Sequence, residues 1–92
     1  MPMSLPDKQA SATKVLAKLS LYGTMCSDAQ NAGNAVSALT GLAALAPGDP
    51  EDQALAQEAK AAVESAVVGE ILKVADKVLL SAKGIIDGML AP

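Results

Sequence analysis

The sequence predicts an all-α fold in one helical domain, residues 1–92. We expect an antiparallel hairpin of two long helices, over about 5–46 and 51–90. The apolar content is 51% of the residues, yet there is no Trp or Phe and only one Tyr, a composition typical of closely packed helices. Apolar residues recur at helical spacing in both halves of the chain. Between the halves lie four turn-forming residues: Pro47, Gly48, Asp49 and Pro50.

The first helix has a recognisable start at Ser4-Leu5-Pro6-Asp7. Ser is a favoured N-cap, Pro is tolerated in the first turn, and Asp lies near the positive end of the helix dipole. Steps of three and four residues then predict one apolar or small face, formed by Ala12, Val15, Leu19, Tyr22, Cys26, Ala29, Gly33 and Val36.

The stretch from Gly23 to Asn34 is the weak part of this helix, because it is rich in polar residues and contains two Gly. Ser27-Asp28-Ala29-Gln30 also matches a capping box, which is typical of a helix start. Two alternatives remain. We prefer a single helix over 5–46, straight or mildly kinked, and the other possibility is two helices divided near 23–27.

The turn at Pro47 to Pro50 has a physical role for each residue. Gly48 can adopt the positive φ that often ends a helix. Asp49 is a suitable N-cap for the next helix, with Pro50 at its first position and Glu51 and Asp52 in its first turn. The pattern predicts a tight connection between antiparallel helices.

The second helix is apolar around about half of its circumference, at 100° per residue. One partner helix cannot cover so wide a face. The apolar surface that one helix leaves uncovered predicts either association with further copies or packing against another helical protein. The residues expected at this assembly interface are Val63, Val67, Ile71, Val74, Val78, Ile85 and Met89.

Residues for catalysis and cofactor binding are scarce. The chain has no His, the commonest general base and zinc ligand. The single cysteine, Cys26, cannot form a disulfide within the chain, and we expect it to be a small buried apolar side chain. Helix capping explains Asp49, Glu51 and Asp52 without a metal ion. We therefore expect no enzymatic activity, no cofactor and no metal site.

Charge and hydropathy exclude two further classes of function. The net charge is −3 and all seven basic residues are Lys, dispersed among acidic residues, which argues against nucleic-acid binding. No uncharged apolar run approaches the roughly 18 residues that a membrane span needs. The N-terminus lacks the basic and apolar regions of a cleaved signal peptide.

The segment from Val36 to Pro50, VSALTGLAALAPGDP, resembles the region before and through the turn of bacterial type III secretion needle subunits and the related inner-rod subunits. In that family an Ala/Leu-rich helix leads into a similar Pro-containing turn. The resemblance implies a helical hairpin that is exported without a cleaved signal peptide and stacks with its copies into a filament. Without that role, a cytoplasmic location is expected.

Two hypotheses for function follow. The first is a structural subunit that self-assembles through the apolar face of its second helix. The second is a small helical bundle of three or four helices that packs against a partner helix, as a secretion chaperone, an antitoxin-like protein or a phage accessory protein does. An uninterrupted helix over 5–46 favours the first hypothesis, and a break near 23–27 favours the second.

Overall fold

The computed structural model describes residues 3–27, 33–45 and 50–91, and over these ranges the chain forms four helices. They are α1 (Leu5–Ser27), α2 (Gly33–Leu45), α3 (Pro50–Ser65) and α4 (Val68–Leu90). No strand occurs in the described ranges, so the all-α prediction is confirmed. The arrangement differs from two long helices, because each predicted helix is divided into two.

The helices form a ring in which each packs against its two neighbours in the order α1, α2, α3, α4, and the most extensive contact joins α1 to α4. Helices α1 and α4 are antiparallel, because Lys18 meets Ser81 while Tyr22 lies near Asp76. At 1.5 Å per residue, α1 and α4 are each roughly 35 Å long, whereas α2 and α3 are roughly 20 and 24 Å. The shorter pair therefore covers only part of the longer pair.

The interior contains small and branched side chains from all four helices. Leu21 and Met25 of α1 and Leu39 of α2 are buried there with Val78 of α4. Alanines complete the contact, because their size lets the helix axes approach closely. The buried alanines in this cluster are Ala35, Ala59, Ala62 and Ala75.

Helix α1 begins as the sequence predicts and ends before the predicted helix does. The Ser4 hydroxyl oxygen accepts a hydrogen bond from the Asp7 backbone N–H at 3.3 Å, so Ser4 is the N-cap. At the other end, the Ser27 hydroxyl donates to the Gly23 carbonyl oxygen at 2.8 Å, and α1 stops at Ser27. Residues 23–27 are helical, so the alternative break near 23–27 is not found there, although 5–27 and 33–45 form two separate helices. Residues 28–32 lie outside the described part of the chain.

The predicted turn is described only at its last residue. Helix α3 begins at Pro50, with Glu51 and Asp52 in its first turn, which agrees with the predicted helix start. Pro47, Gly48 and Asp49 lie outside the described residues, so the geometry of the turn stays a prediction.

The division between α3 and α4 was not predicted. Ala66 has φ of 57°, in the left-handed region, and Val67 is extended. The Ser65 hydroxyl donates to the Ala62 carbonyl at 2.6 Å and accepts from the Val67 N–H at 3.3 Å. The Val67 carbonyl then accepts hydrogen bonds from the N–H groups of Glu70 and Ile71 at the start of α4. Ser65 thus satisfies backbone groups that the helix end exposes.

We expect Ala66→Gly to stabilise the fold by about 0.5–1 kcal/mol, because glycine adopts a positive φ without the steric penalty of a β-carbon. Ala61→Gly, at an exposed position inside α3, is the matched control and should destabilise it by about 1 kcal/mol. Urea unfolding of both variants measures the difference. A loss of stability in Ala66→Gly would contradict the left-handed conformation of this residue.

Candidate functional site

A cluster of charged side chains lies buried where α1, α3 and α4 meet. The Lys18 Nζ lies 2.8 Å from the Asp52 Oδ1, and the Lys14 Nζ lies 2.9 Å from the Asp52 Oδ2. The Lys18 ammonium also donates a hydrogen bond to the Ser81 hydroxyl. Asp52 is 0% exposed and Lys18 is 1% exposed, whereas Lys14 reaches the surface. The Asp52 carboxylate therefore joins α3 to α1, and the Lys18 ammonium joins α1 to α4.

The position of Asp52 explains how a carboxylate is accommodated in the interior. It lies in the first turn of α3, where the helix dipole favours a negative charge. Apart from the two ammonium groups, no donor among the described residues hydrogen bonds to its oxygens. Both lysines lie on α1 at positions i and i+4, so they present their ammonium groups on one side of that helix. Lys18 and Asp52 consequently depend on each other for compensation of their charges.

The contact between Lys18 and Ser81 brings a hydroxyl next to an amine, a pairing that some enzymes use for nucleophilic catalysis. Activation of the hydroxyl requires a neutral amine that accepts its proton. Here the Lys18 ammonium is the donor, and the Asp52 carboxylate stabilises its positive charge. The contacts hold the Lys18 side chain between the Asp52 carboxylate and the Ser81 hydroxyl.

The buried face of α1 differs from the predicted face. The structure buries Val15, Lys18, Leu21 and Met25, whereas Leu19 and Cys26 of the predicted face are exposed. The prediction was wrong because it followed apolar and small residues alone, whereas the ion pair with Asp52 turns Lys18 inward. The available signal was the pair Lys14 and Lys18, four residues apart, together with an acidic residue in the first turn of a later helix.

The residues predicted as an assembly interface occupy three kinds of position. Ile71, Val74 and Val78 are buried among the chain's own helices, and Val63 packs partly buried against them. Val67 is exposed in the break before α4, and Ile85 and Met89 are half-buried. The three buried residues are therefore not available to another chain in this conformation.

A second apolar surface runs along the outer side of the α1–α4 pair, away from α2 and α3. The antiparallel register sets Leu19 level with Leu79, and both lie near the middle of the surface. At helical spacing these positions fall on the flanks of α1 and α4 that no other helix covers. We call this surface the α1–α4 face and define it by Leu5, Leu16 and Leu19 of α1 with Leu72, Leu79, Ile86 and Leu90 of α4, whose exposed fractions lie between 36 and 77%.

The α1–α4 face is large for an apolar patch on a single chain. Its seven side chains expose on the order of 600 Å² of apolar surface, the upper end of the roughly 300–600 Å² typical of the largest patch on a monomer. Such patches usually mark an interaction site. The wide apolar arc that the sequence predicts on the second helix is thus divided: one part forms the interior and the other remains exposed.

A groove lies on the other side of α4, where α3 begins. Its volume is about 510 Å³, and its rim carries charges of both signs from Glu51 and Lys77. Leu80 is its most exposed apolar side chain, at 65%. The groove is therefore smaller in apolar area than the α1–α4 face. Its lining residues are Glu51, Leu55, Lys77, Leu80, Ser81, Gly84 and Ile85.

Cys26 is exposed, which contradicts its prediction as a buried side chain. The pKa of Tyr22 is raised above its ordinary value of 10.0, first by its hydrogen bond to Cys26, next by negative charge on that sulfur, then by burial and by the Asp76 carboxylate. Each of these causes disfavours a tyrosinate. The Tyr22–Cys26 pair lies at the α1–α4 contact, near Asp76.

Above pH 10 the folded state should lose stability as Tyr22 ionises. Because the pKa of Tyr22 is raised in the folded state, neutral Tyr22 stabilises the fold fully below the unfolded value of 10.0. This stabilisation is lost as the pH rises through the folded pKa. Because Tyr22 is the single tyrosine and Trp is absent, tyrosinate absorbance reports this residue alone. We expect a titration midpoint above 10.0, lowered by Cys26→Ala. A midpoint that Cys26→Ala leaves unchanged would contradict the assigned cause.

Residues 3–27, 33–45 and 50–91 contain no group of three or more His, Cys, Asp or Glu side chains that could hold a metal ion. Within the same ranges, no helix combines the length and the apolar character needed to cross a membrane.

Comparison of the chain with protein-family models, with curated proteins and with solved structures found no match.

Proposed function

We propose that the protein is a small helical-bundle interaction module that acts by packing its α1–α4 face against another helical surface, without catalysis. The observation that carries this proposal is two strips of exposed apolar residues, one on α1 and one on α4, which helical spacing places on the outer side of this helix pair. A helical partner fits this face because the two strips run parallel to the helix axes. A facing helix can insert apolar side chains between them.

The packing of α1 and α2 against each other as two separate helices favours this binding module over the needle-like hairpin. A filament subunit of that kind presents long helices along its whole length, and its contacts with other copies use the apolar side of the second helix. In the folded bundle Ile71, Val74 and Val78 already pack inside one chain. The exposed strip lies on a different side of the same helix, so association does not require the bundle to open.

Site-specific photo-crosslinking in the producing cells tests the proposal. A photoreactive residue in place of Leu16, exposed on the α1–α4 face, should give a covalent adduct with a protein. The same residue in place of Gln57, exposed on α3, is the matched control and should give little or none. Equal yields of adduct at the two positions, or none at Leu16, would contradict the proposal.

A further inference from the structure

We infer that the partner of the α1–α4 face is a second copy of this chain, related by a two-fold axis that passes close to Leu79. This inference rests on the proposed function. Three features of α4 carry the inference: the spacing of its exposed apolar residues, the order of the charges between them and the area of the face.

Three of the exposed apolar residues of α4 are spaced symmetrically about Leu79. Leu72 lies seven residues before it and Ile86 lies seven residues after it, and all three are between 36 and 38% exposed. Since seven residues are close to two helical turns, the three side chains form a straight row. A second α4 placed antiparallel across the two-fold axis sets Leu79 against its own copy. It also sets each Leu72 against the Ile86 of the other chain.

The charges in the same row are complementary under this symmetry. Asp76 and Lys83 are both exposed and lie between the apolar residues, on either side of Leu79. The two-fold axis brings Asp76 of one copy beside Lys83 of the other, within the length of a lysine side chain. The arrangement therefore forms two equivalent ion pairs between copies. Neither residue forms an ion pair with another described residue of its own chain.

A parallel arrangement of the two α4 helices is disfavoured by the same residues. With two parallel α4 helices at the same height, Asp76 of one copy would lie beside Asp76 of the other, and Lys83 beside Lys83. Like charges at an interface are destabilising. An unrelated partner needs its own row of matching charges, whereas a second copy already carries them. The charge order thus selects the antiparallel second copy.

The available area fits a dimer of ordinary size. Each copy contributes on the order of 600 Å² of apolar side chains, and the charged and polar residues beside them bring this close to the roughly 800 Å² that each partner buries in a standard interface. Leu19 lies level with Leu79, so the two α1 helices add apolar contact beside the α4 pair. The dimer leaves the buried Lys18–Asp52 cluster unchanged.

Disulfide trapping at the axis tests the inference. In a Cys26→Ser background, which removes the single native thiol, Leu79→Cys places two thiols next to each other across the axis. We expect mild oxidation to link most of the protein into dimers at micromolar concentration. Gln57→Cys in the same background is the control and should remain largely monomeric. Equal rates of dimer formation in the two variants would overturn the inference.

Charge reversal gives a second test that does not depend on a thiol. Asp76→Lys alone and Lys83→Asp alone should each weaken the dimer by about tenfold or more, because like charges then meet twice across the axis. The double variant should restore the wild-type dissociation constant, measured by sedimentation equilibrium. Additive weakening in the double variant would overturn the pairing.

The photo-crosslinking adducts separate failure of this inference from failure of the proposed function. An adduct from Leu16 with twice the mass of the 9.2 kDa chain supports the second copy. An adduct only with another protein would leave the interaction module in place and overturn the second copy. No adduct at all would overturn both.

Discussion

Asp52→Ala should destabilise the bundle by about 3–5 kcal/mol, because it leaves the Lys18 ammonium buried without its counter-charge. This loss is a large fraction of the roughly 5–15 kcal/mol that stabilises a typical domain. Urea unfolding followed by circular dichroism measures it. The helical content of any folded fraction should remain close to that of the wild type.

The control for this variant is a surface ion pair of similar length. The Lys77 Nζ lies 2.9 Å from the Glu58 Oε2, and both side chains are about half exposed. Glu58→Ala should therefore cost at most about 1 kcal/mol. The double variant Lys18→Met/Asp52→Leu should recover most or all of the loss, since apolar side chains of similar volume can replace a buried ion pair. Equal losses in Asp52→Ala and Glu58→Ala would mean that the cluster is hydrated rather than buried.

Val78→Asp should unfold the chain, whereas Leu79→Asp should leave it folded. Val78 is 0% exposed, and an unpaired carboxylate at this position would cost several kcal/mol. Leu79 is 37% exposed on the α1–α4 face, so its replacement places the charge in contact with solvent. Far-ultraviolet circular dichroism should show loss of helix only in Val78→Asp. Loss of helix in both variants would mean that the two residues face the interior together.

The sequence predicted the helical class, the N-cap of α1 and the start of α3, because each depends on local chemistry. Ser4 and Pro50 act within one turn of their own positions, and no distant residue is needed to explain them. The wide apolar arc of the second helix was also visible. Its division into an interior row and an exposed row depends on where α1 packs, so helical spacing alone could not assign it.

The break at Ala66 was missed because nothing in its composition marks it. Ala has the highest helix propensity, and the glycine that usually ends a helix occurs only later, at Gly69. The helices on the two sides of Ala66, α3 and α4, pack against each other. The tertiary contact overrides the local preference.

The buried cluster was missed for a different reason. A lysine on a helix is usually solvated, and Asp52 is fully explained by its place at a helix start. Only the three-dimensional contact shows that Lys18 of α1 and Asp52 of α3 form one ion pair. The spacing of Lys14 and Lys18 was the one signal, and with 34 positions between Lys18 and Asp52 it does not identify the acidic partner.

The most direct test of the interaction through the α1–α4 face is the mass in solution of the wild type and of Leu79→Asp. Light scattering across a hundredfold range of concentration should give twice the 9.2 kDa chain mass for the wild type at micromolar concentrations and above. Leu79→Asp should give a single-chain mass throughout, with unchanged helical content. A single-chain mass for the wild type over the whole range, or an unchanged dimer in Leu79→Asp, would contradict the account.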